Sequence, residues 1–459
     1  MYRDKLLGKG SSKVLKYTSS LTSSDKAIAK DVIAALIAHT KNLVKHNLIP
    51  KDVGNKVIKE LRELCRNPKP LFTIVAEDVH EAIEIYLRSK LDSNAGWAAL
   101  GKSRNDHVAV AIRLKARREL TKLLSELIEL REVLLETASK YERILMPSFT
   151  HLQPAQVTTF AHYLLSFDEE LSHYVRTLKY IISEVVSESP LGAGASTTTN
   201  VPLSRYELAE ELGFSKLVIN SLRATGSRDF IMIASSILVC ISVMLTRLAE
   251  DFIVFTTPQF SYISVTPEFL ATSSLMPHKK NLVVMEIARA WGAESIGHLV
   301  AILAIIKGLP TGYNLDLQEV NKHFIQLLEK TTETVAIVRD MLKSIKPNEE
   351  SMKADIAKYP LLVTDYAELL ALKLGKPYRE VHELVAEVVS RSEKLSEVYE
   401  KLGELLGKNL SPEEVINKPH EGSPNPSYIR KYISKAIEEV KELKKYIDKL
   451  IAIDVVCSI

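Results

Sequence analysis

Apolar residues recur three and four positions apart along most of this chain, and alternating strand patterns are short and few. That period predicts helix almost throughout. The clearest helix begins near Asn105-Asp106, both good capping types, and runs towards Tyr141. Along it Ala116, Leu120, Leu123, Leu127, Leu130 and Leu134 step alternately by four and three. This is a coiled-coil seam, suited to packing lengthwise on another long helix. Further long helices are predicted after Pro154, from Arg228 to about Phe255, after Pro277, and from Asn314 to about Ser344. Helices of this length need neighbours of similar length to cover them. The pattern before Gly101 is shorter, punctuated at Pro50, Pro68 and Pro70. After Pro347 it shortens again: Tyr359 to Leu374, Pro377 to Arg391, a turn at Gly422-Ser423-Pro424, and a charged last helix. The expected fold is all-α, a long central helical bundle completed by other subunits and flanked by two smaller helical domains. The expected divisions are residues 1–103, 104–348 and 349–459.

Composition narrows the class without naming a function. Of 459 residues, 46% are hydrophobic and 25% charged, the balance of a soluble globular protein. A net charge of +3 gives no basic or acidic extreme that points to nucleic acid or a membrane surface. Cys65, Cys240 and Cys457 are far apart, with no metal-ligand spacing and no sign of a disulfide framework. Together with a polar start at Met1-Tyr2-Arg3-Asp4-Lys5, this points to a reducing cytoplasm. The longest apolar stretch, Phe230 to Leu245, is broken by Ser235, Ser236 and Ser242. A helix buried on all sides within a bundle explains it better than a membrane span.

Four polar segments interrupt the helices. Ser103-Arg104-Asn105-Asp106 stands at a predicted helix start, where an arginine fork and free amides suit a carboxylate; by itself it reads rather as a capped helix with a solvated arginine. Thr150-His151-Leu152-Gln153-Pro154-Ala155-Gln156 gathers an imidazole, a hydroxyl and two amides, with Pro154 expected in the first turn of a helix. Ser273-Ser274-Leu275-Met276-Pro277-His278-Lys279-Lys280-Asn281 is expected to open the next helix. Its hydroxyls, ammonium groups and helix N-terminus would bind an anion and ease ionisation of a hydroxyl. Tyr313-Asn314, followed by Gln318 and Glu319, would add a further wall. There is no Gly-Lys-Ser/Thr phosphate loop and no zinc-type histidine pair. The glycines of Pro190 to Ser196 read as a mobile loop.

These segments resemble the fumarase/aspartase superfamily and, within it, the argininosuccinate lyases. Ser273, Ser274, Met276, Pro277, Lys279 and Asn281 match the superfamily signature Ser-Ser-x-Met-Pro-x-Lys-x-Asn. The Ser103 to Asp106 and Thr150 to Gln156 blocks point to the lyase family, as do Glu77 to His80, Pro190 to Ala195, Asn220 to Leu222, Arg228 to Phe230, and Tyr313-Asn314 with Gln318-Glu319. The resemblance implies a homotetramer whose active sites are each assembled from three chains, using no metal or cofactor. It implies β-elimination, with Ser273 as base, Lys279 and Asn281 holding the carboxylate as charge grows there, and His151 as acid. The division of acid and base between His151 and Ser273 stays open. Arg104, Asn105, Thr150 and Ser274 would bind the fumarate half, and Tyr313 and Gln318 the arginine half, with Ser20 matching an N-terminal substrate serine. Ser103 and Gln153 complete the expected binding set.

The chain departs from the family pattern in places. Ala99 stands at a usual histidine, His278 at a usual glutamine, and Arg223 and Ser227 at two common aspartates. A substrate-contacting lysine three places after Gln318 is replaced by Asn321, with Lys322 next along. A shift of one residue turns a helical side chain by about 100°, so Lys322 does not simply substitute. These changes leave room for another fumarate-releasing lyase, or for a non-catalytic relative of the crystallin kind.

Overall fold

The structure is a computed structural model and describes residues 12–21 and 24–452. Five long helices dominate it: Arg104–Lys140, Phe160–Tyr180, Asp229–Phe255, Val283–Ile306 and Asp316–Lys343. The first starts with a capping box between Ser103 and Asp106, so Ser103, not Asn105 or Asp106, is the N-cap. Its leucine seam is fully buried. The cover comes from the same chain, since Phe160–Tyr180, Asp316–Lys343, Asp25–Lys45 and Pro426–Ala452 all pack on this helix. The seam is therefore covered within the chain and leaves no open face.

Exposed apolar side chains lie elsewhere. Val283–Ile306 packs between Asp229–Phe255 and Asp316–Lys343, yet Ile287, Ile296 and Val300 on its outer side are about half exposed or more. Ile233 and Val243 are exposed on Asp229–Phe255, so that helix is not buried on all sides as expected. Both helices are long and apolar enough to cross a membrane; Asp229–Phe255 is mostly buried within the fold, and Val283–Ile306 is not.

A second, smaller core forms from residues between Ile356 and Ile416, joined by Leu145 and Val157. The last helix leaves that core and returns to the first, through Ile429, Ile433, Val440 and Leu443. There Arg131 and Asp168 form a buried pair at 2.8 Å. Tyr432 donates to Asp168 at 2.9 Å, and Glu439 meets Arg131 at 3.0 Å. One polar knot thus pins three helices.

Two predicted helix starts prove to be hairpins. Leu145–Thr150 pairs antiparallel with Gln153–Thr159, and helix begins only at Phe160. The β-branched run Val157-Thr158-Thr159 favours extension, and Thr159 caps the helix by accepting from His162 N at 3.1 Å. Likewise Ala271–Thr272 pairs with Lys280–Asn281, which holds the signature loop as a hairpin and delays the helix to Val283. The glycine loop after Pro190 is docked rather than loose: Asp106 accepts from Gly192 N and Gly194 N, both at 3.0 Å. Gly194 has φ +64°, and a Cβ there would meet the Thr198 carbonyl oxygen at 2.5 Å, so only glycine fits. Cys65 is disulfide-bonded, where the spacing of the cysteines suggested no disulfide framework; Cys457 lies outside the described residues.

Candidate active site

The start of the Arg104–Lys140 helix organises the first part of the site. Ser103 Oγ accepts from Asn105 N at 3.2 Å, and Asp106 accepts from Ser103 N at 3.1 Å. With the cap satisfied, Asn105 reaches sideways to donate to the Ala195 carbonyl at 3.2 Å. Arg104 pairs with Asp78 at 2.8 Å and Glu77 at 3.4 Å. Arg104 and Asn105 line a cavity of about 250 Å³ together with Ser20, Tyr313 and Gln318. Ser20 donates to Asp25 at 2.7 Å, and Gln318 donates to the Thr18 carbonyl at 3.0 Å. Five of the residues picked from sequence therefore share one cavity.

The remaining candidates occupy two other places. His151 and Leu152 form the exposed tip of the first hairpin, with φ of 55° and 60°. A two-residue turn of this hand favours glycine or asparagine, so a histidine here is held at a conformational cost. Such strain marks functional loops more often than structural ones. Thr150 and Gln153 pair across the base of the tip, and both are exposed.

Ser273 sits in the second hairpin, with Ser274 and Lys279 exposed beside it and Asn281 half-buried in the returning strand. The expected helix N-terminus is absent from its side. Two backbone donors replace it: Ser273 Oγ accepts from Met276 N at 3.0 Å and from Leu275 N at 3.3 Å. Amides aimed at one oxygen favour its ionised form as a helix end would. Neither hairpin contributes to the 250 Å³ cavity.

The comparisons with known proteins agree on what carries these three surfaces. A family model described as a lyase matches residues 8–297. The argininosuccinate lyase of Pyrococcus furiosus is 46% identical over 98% of this chain and 97% of its own length. The chain belongs to the argininosuccinate lyase family. The relatives of Pyrobaculum calidifontis and Sulfolobus acidocaldarius, under the same name, are 39% and 38% identical, with 93% and 94% of this chain covered, and 96% and 90% of their own. Among solved structures, an EDDS lyase in complex with formate superposes with a TM-score of 0.83 at 23% identity, covering 94% of this chain and 90% of its own. A class II fumarase from Schistosoma mansoni reaches 0.73 at 18% identity over 84% of this chain and 90% of its own. These two likenesses concern the fold.

Within that family frame, sequence reasoning missed part of the cavity wall. Asp25, Glu77 and Asp78 bring three carboxylates to it. Asp25 carried no signal beyond an acidic helix start; burial raises its pKa despite hydrogen bonds from Ser20 and from Val79 N. His80, Arg228 and Asn321 complete the wall. The first two stood inside recognised blocks without an assigned role, and Asn321 was noticed only as a departure. His80 is held neutral, its pKa well below the ordinary value because it is buried and lies near Lys102 and Arg104. Burial also raises the Tyr313 phenol, so its hydroxyl stays protonated as a donor.

Proposed function

We propose that this chain splits argininosuccinate into arginine and fumarate by β-elimination, in the cytoplasm, as a homotetramer. The observation that carries the reading is the serine loop of this family member, where two backbone N–H groups converge on Ser273 Oγ. The Ser273 alkoxide takes the proton from the succinyl carbon next to a carboxylate. The electron pair moves onto that carboxylate, where Lys279 and Asn281 meet the growing charge, the largest stabilising contribution in such a reaction. The carbon–nitrogen bond then breaks, and His151 gives its proton to the departing guanidino nitrogen. Arg104, Asn105, Thr150 and Ser274 hold the succinyl end, and Ser20, Tyr313 and Gln318 the arginine end. Ser103 supports the former as the helix cap, and Gln153 steadies the His151 turn.

This assignment needs three surfaces that one chain keeps apart, which favours sites shared between copies. The exposed apolar side of Val283–Ile306 supports the same assembly. Glu286, Arg289 and Glu294 are exposed on that helix, and such charges suit a protein partner better than lipid. The divisions near residues 103 and 348 belong to this reading. The test is fumarate release, followed by ultraviolet absorbance, from purified protein given argininosuccinate. Release that vanishes in Ser273→Ala supports the proposal; intact argininosuccinate with folded protein rejects it.

A further inference from the structure

The hairpin that carries His151 changes register part-way along. Leu145, Met146 and Pro147 face Thr159, Thr158 and Val157 in step, but Phe149 faces Pro154 and Thr150 faces Gln153. Ala155 and Gln156 together therefore stand opposite Ser148, and this is a β-bulge. A bulge disrupts the ladder locally and leaves main-chain groups to find other partners. Here one side chain meets both groups of a bulge residue. Gln156 N donates to Ser148 Oγ at 3.2 Å, and Ser148 Oγ donates to the Gln156 carbonyl at 2.9 Å.

The extra residue decides the turn. Were the first register continued, Thr150 would face Pro154, and His151, Leu152 and Gln153 would close the hairpin as a three-residue loop. With the bulge, Thr150 faces Gln153, and His151 and Leu152 alone turn the chain, at φ of 55° and 60°. Two successive positive φ values on residues with side chains are strained, whereas the common three-residue loop needs one. The tip is thus under tension to relax, and the bulge must be held against it. Phe149 anchors the first strand, its ring centre 5.9 Å from that of Phe260 and 6.4 Å from those of Phe255 and Tyr262. The Ser148 hydroxyl ties the second strand to the first at the bulge.

We propose that Ser148 is a positioning residue for His151. Its hydroxyl pins the bulge, the bulge imposes the two-residue turn, and the turn sets the direction of the imidazole. The inference rests on the reading of His151 as the acid, and it gives Ser148 a part in the reaction only through that side chain.

The experiment pairs fumarate release from argininosuccinate with crystal structures of the same variants. Ser148→Ala is expected to lower kcat about tenfold, the worth of one or two ordinary hydrogen bonds, with KM little changed. Its hairpin should lose the pairing of Thr150 with Gln153. Ser148→Thr keeps the hydroxyl and suits a strand, so it should stay near wild type. Leu152→Gly in the Ser148→Ala background should restore most of kcat, because glycine takes positive φ without strain and favours the same two-residue turn. A general loosening of the fold would not answer to glycine at the tip. In a His151→Ala background, Ser148→Ala should cost nothing further. Wild-type kcat in Ser148→Ala, or a loss that neither Ser148→Thr nor Leu152→Gly avoids, overturns the positioning role. A lowered kcat with the hairpin unchanged overturns the pin and leaves His151 as the acid. A relaxed hairpin with kcat unchanged keeps the pin but rejects His151 as the acid, and the positioning role falls with it.

Discussion

At the scale of single residues, the start of the Arg104–Lys140 helix is surrounded by enclosed imidazoles. His39, His80 and His107 are all buried, and burial is the first cause of their lowered pKa values, with the Lys102 charge adding to it. His39 falls from 6.5 to about 4; His80 and His107 fall well below 6.5. The unfolded chain therefore binds protons that the folded one refuses, so stability is full above the unfolded value and is lost as pH falls from about 6.5. Asp106 works the other way, since burial raises it from 3.8 to about 6 against three backbone N–H groups, but its effect begins only below about 6. Asp25, also raised, acts in the same sense as Asp106. Between pH 7 and 6 the histidines dominate. The urea midpoint should drop across that interval, by up to about 1.4 kcal/mol per pH unit for each histidine. A flat midpoint would show that these rings titrate normally.

At the scale of elements, the knot of Arg131, Asp168, Tyr432 and Glu439 joins three helices around the Arg131–Asp168 pair, whose side chains have almost no exposure. Asp168→Ala leaves a guanidinium buried without its partner, at a cost of about 3–5 kcal/mol in urea unfolding. A loss under 1 kcal/mol would mean that Glu439 alone suffices. Gly292 marks the closest approach of Val283–Ile306 to Asp229–Phe255. A Cβ there would lie 2.0 Å from Thr246 Cγ2, so Gly292→Ala should cost about 1–3 kcal/mol by overpacking. Thermal unfolding of that variant checks it.

Legibility follows the same physics. The leucine seam and the start of its helix, to within two residues, were readable because each is a local pattern that tertiary packing reinforces. The two hairpins were not. Pro154 fits both a first helical turn and an extended strand, and the pairing of Ala271–Thr272 with Lys280–Asn281 joins residues too few to show a period. Site membership was readable from motif residues, whereas the cavity wall that Arg228 and Asn321 complete exists only once distant segments meet.

At the scale of the whole molecule, the surface is unfinished in two ways. Apolar side chains stay exposed along Val283–Ile306, and the candidate base and acid lie on hairpins outside the cavity lined by Ser20, Arg104, Asn105, Tyr313 and Gln318. The proposed assembly would resolve both. Sedimentation should find a species about four times the 51.4 kDa chain; a monomer at micromolar concentration would contradict it. The account's central claim is that separate chains supply Ser273 and His151 to one lyase site. It is tested by mixing. Ser273→Ala and His151→Ala are each expected to release almost no fumarate from argininosuccinate. Unfolded and refolded together, they should recover a clear fraction of wild-type release, because some sites then receive both intact side chains. Mixed assemblies that form and stay inactive, beside an active wild type refolded identically, would contradict it.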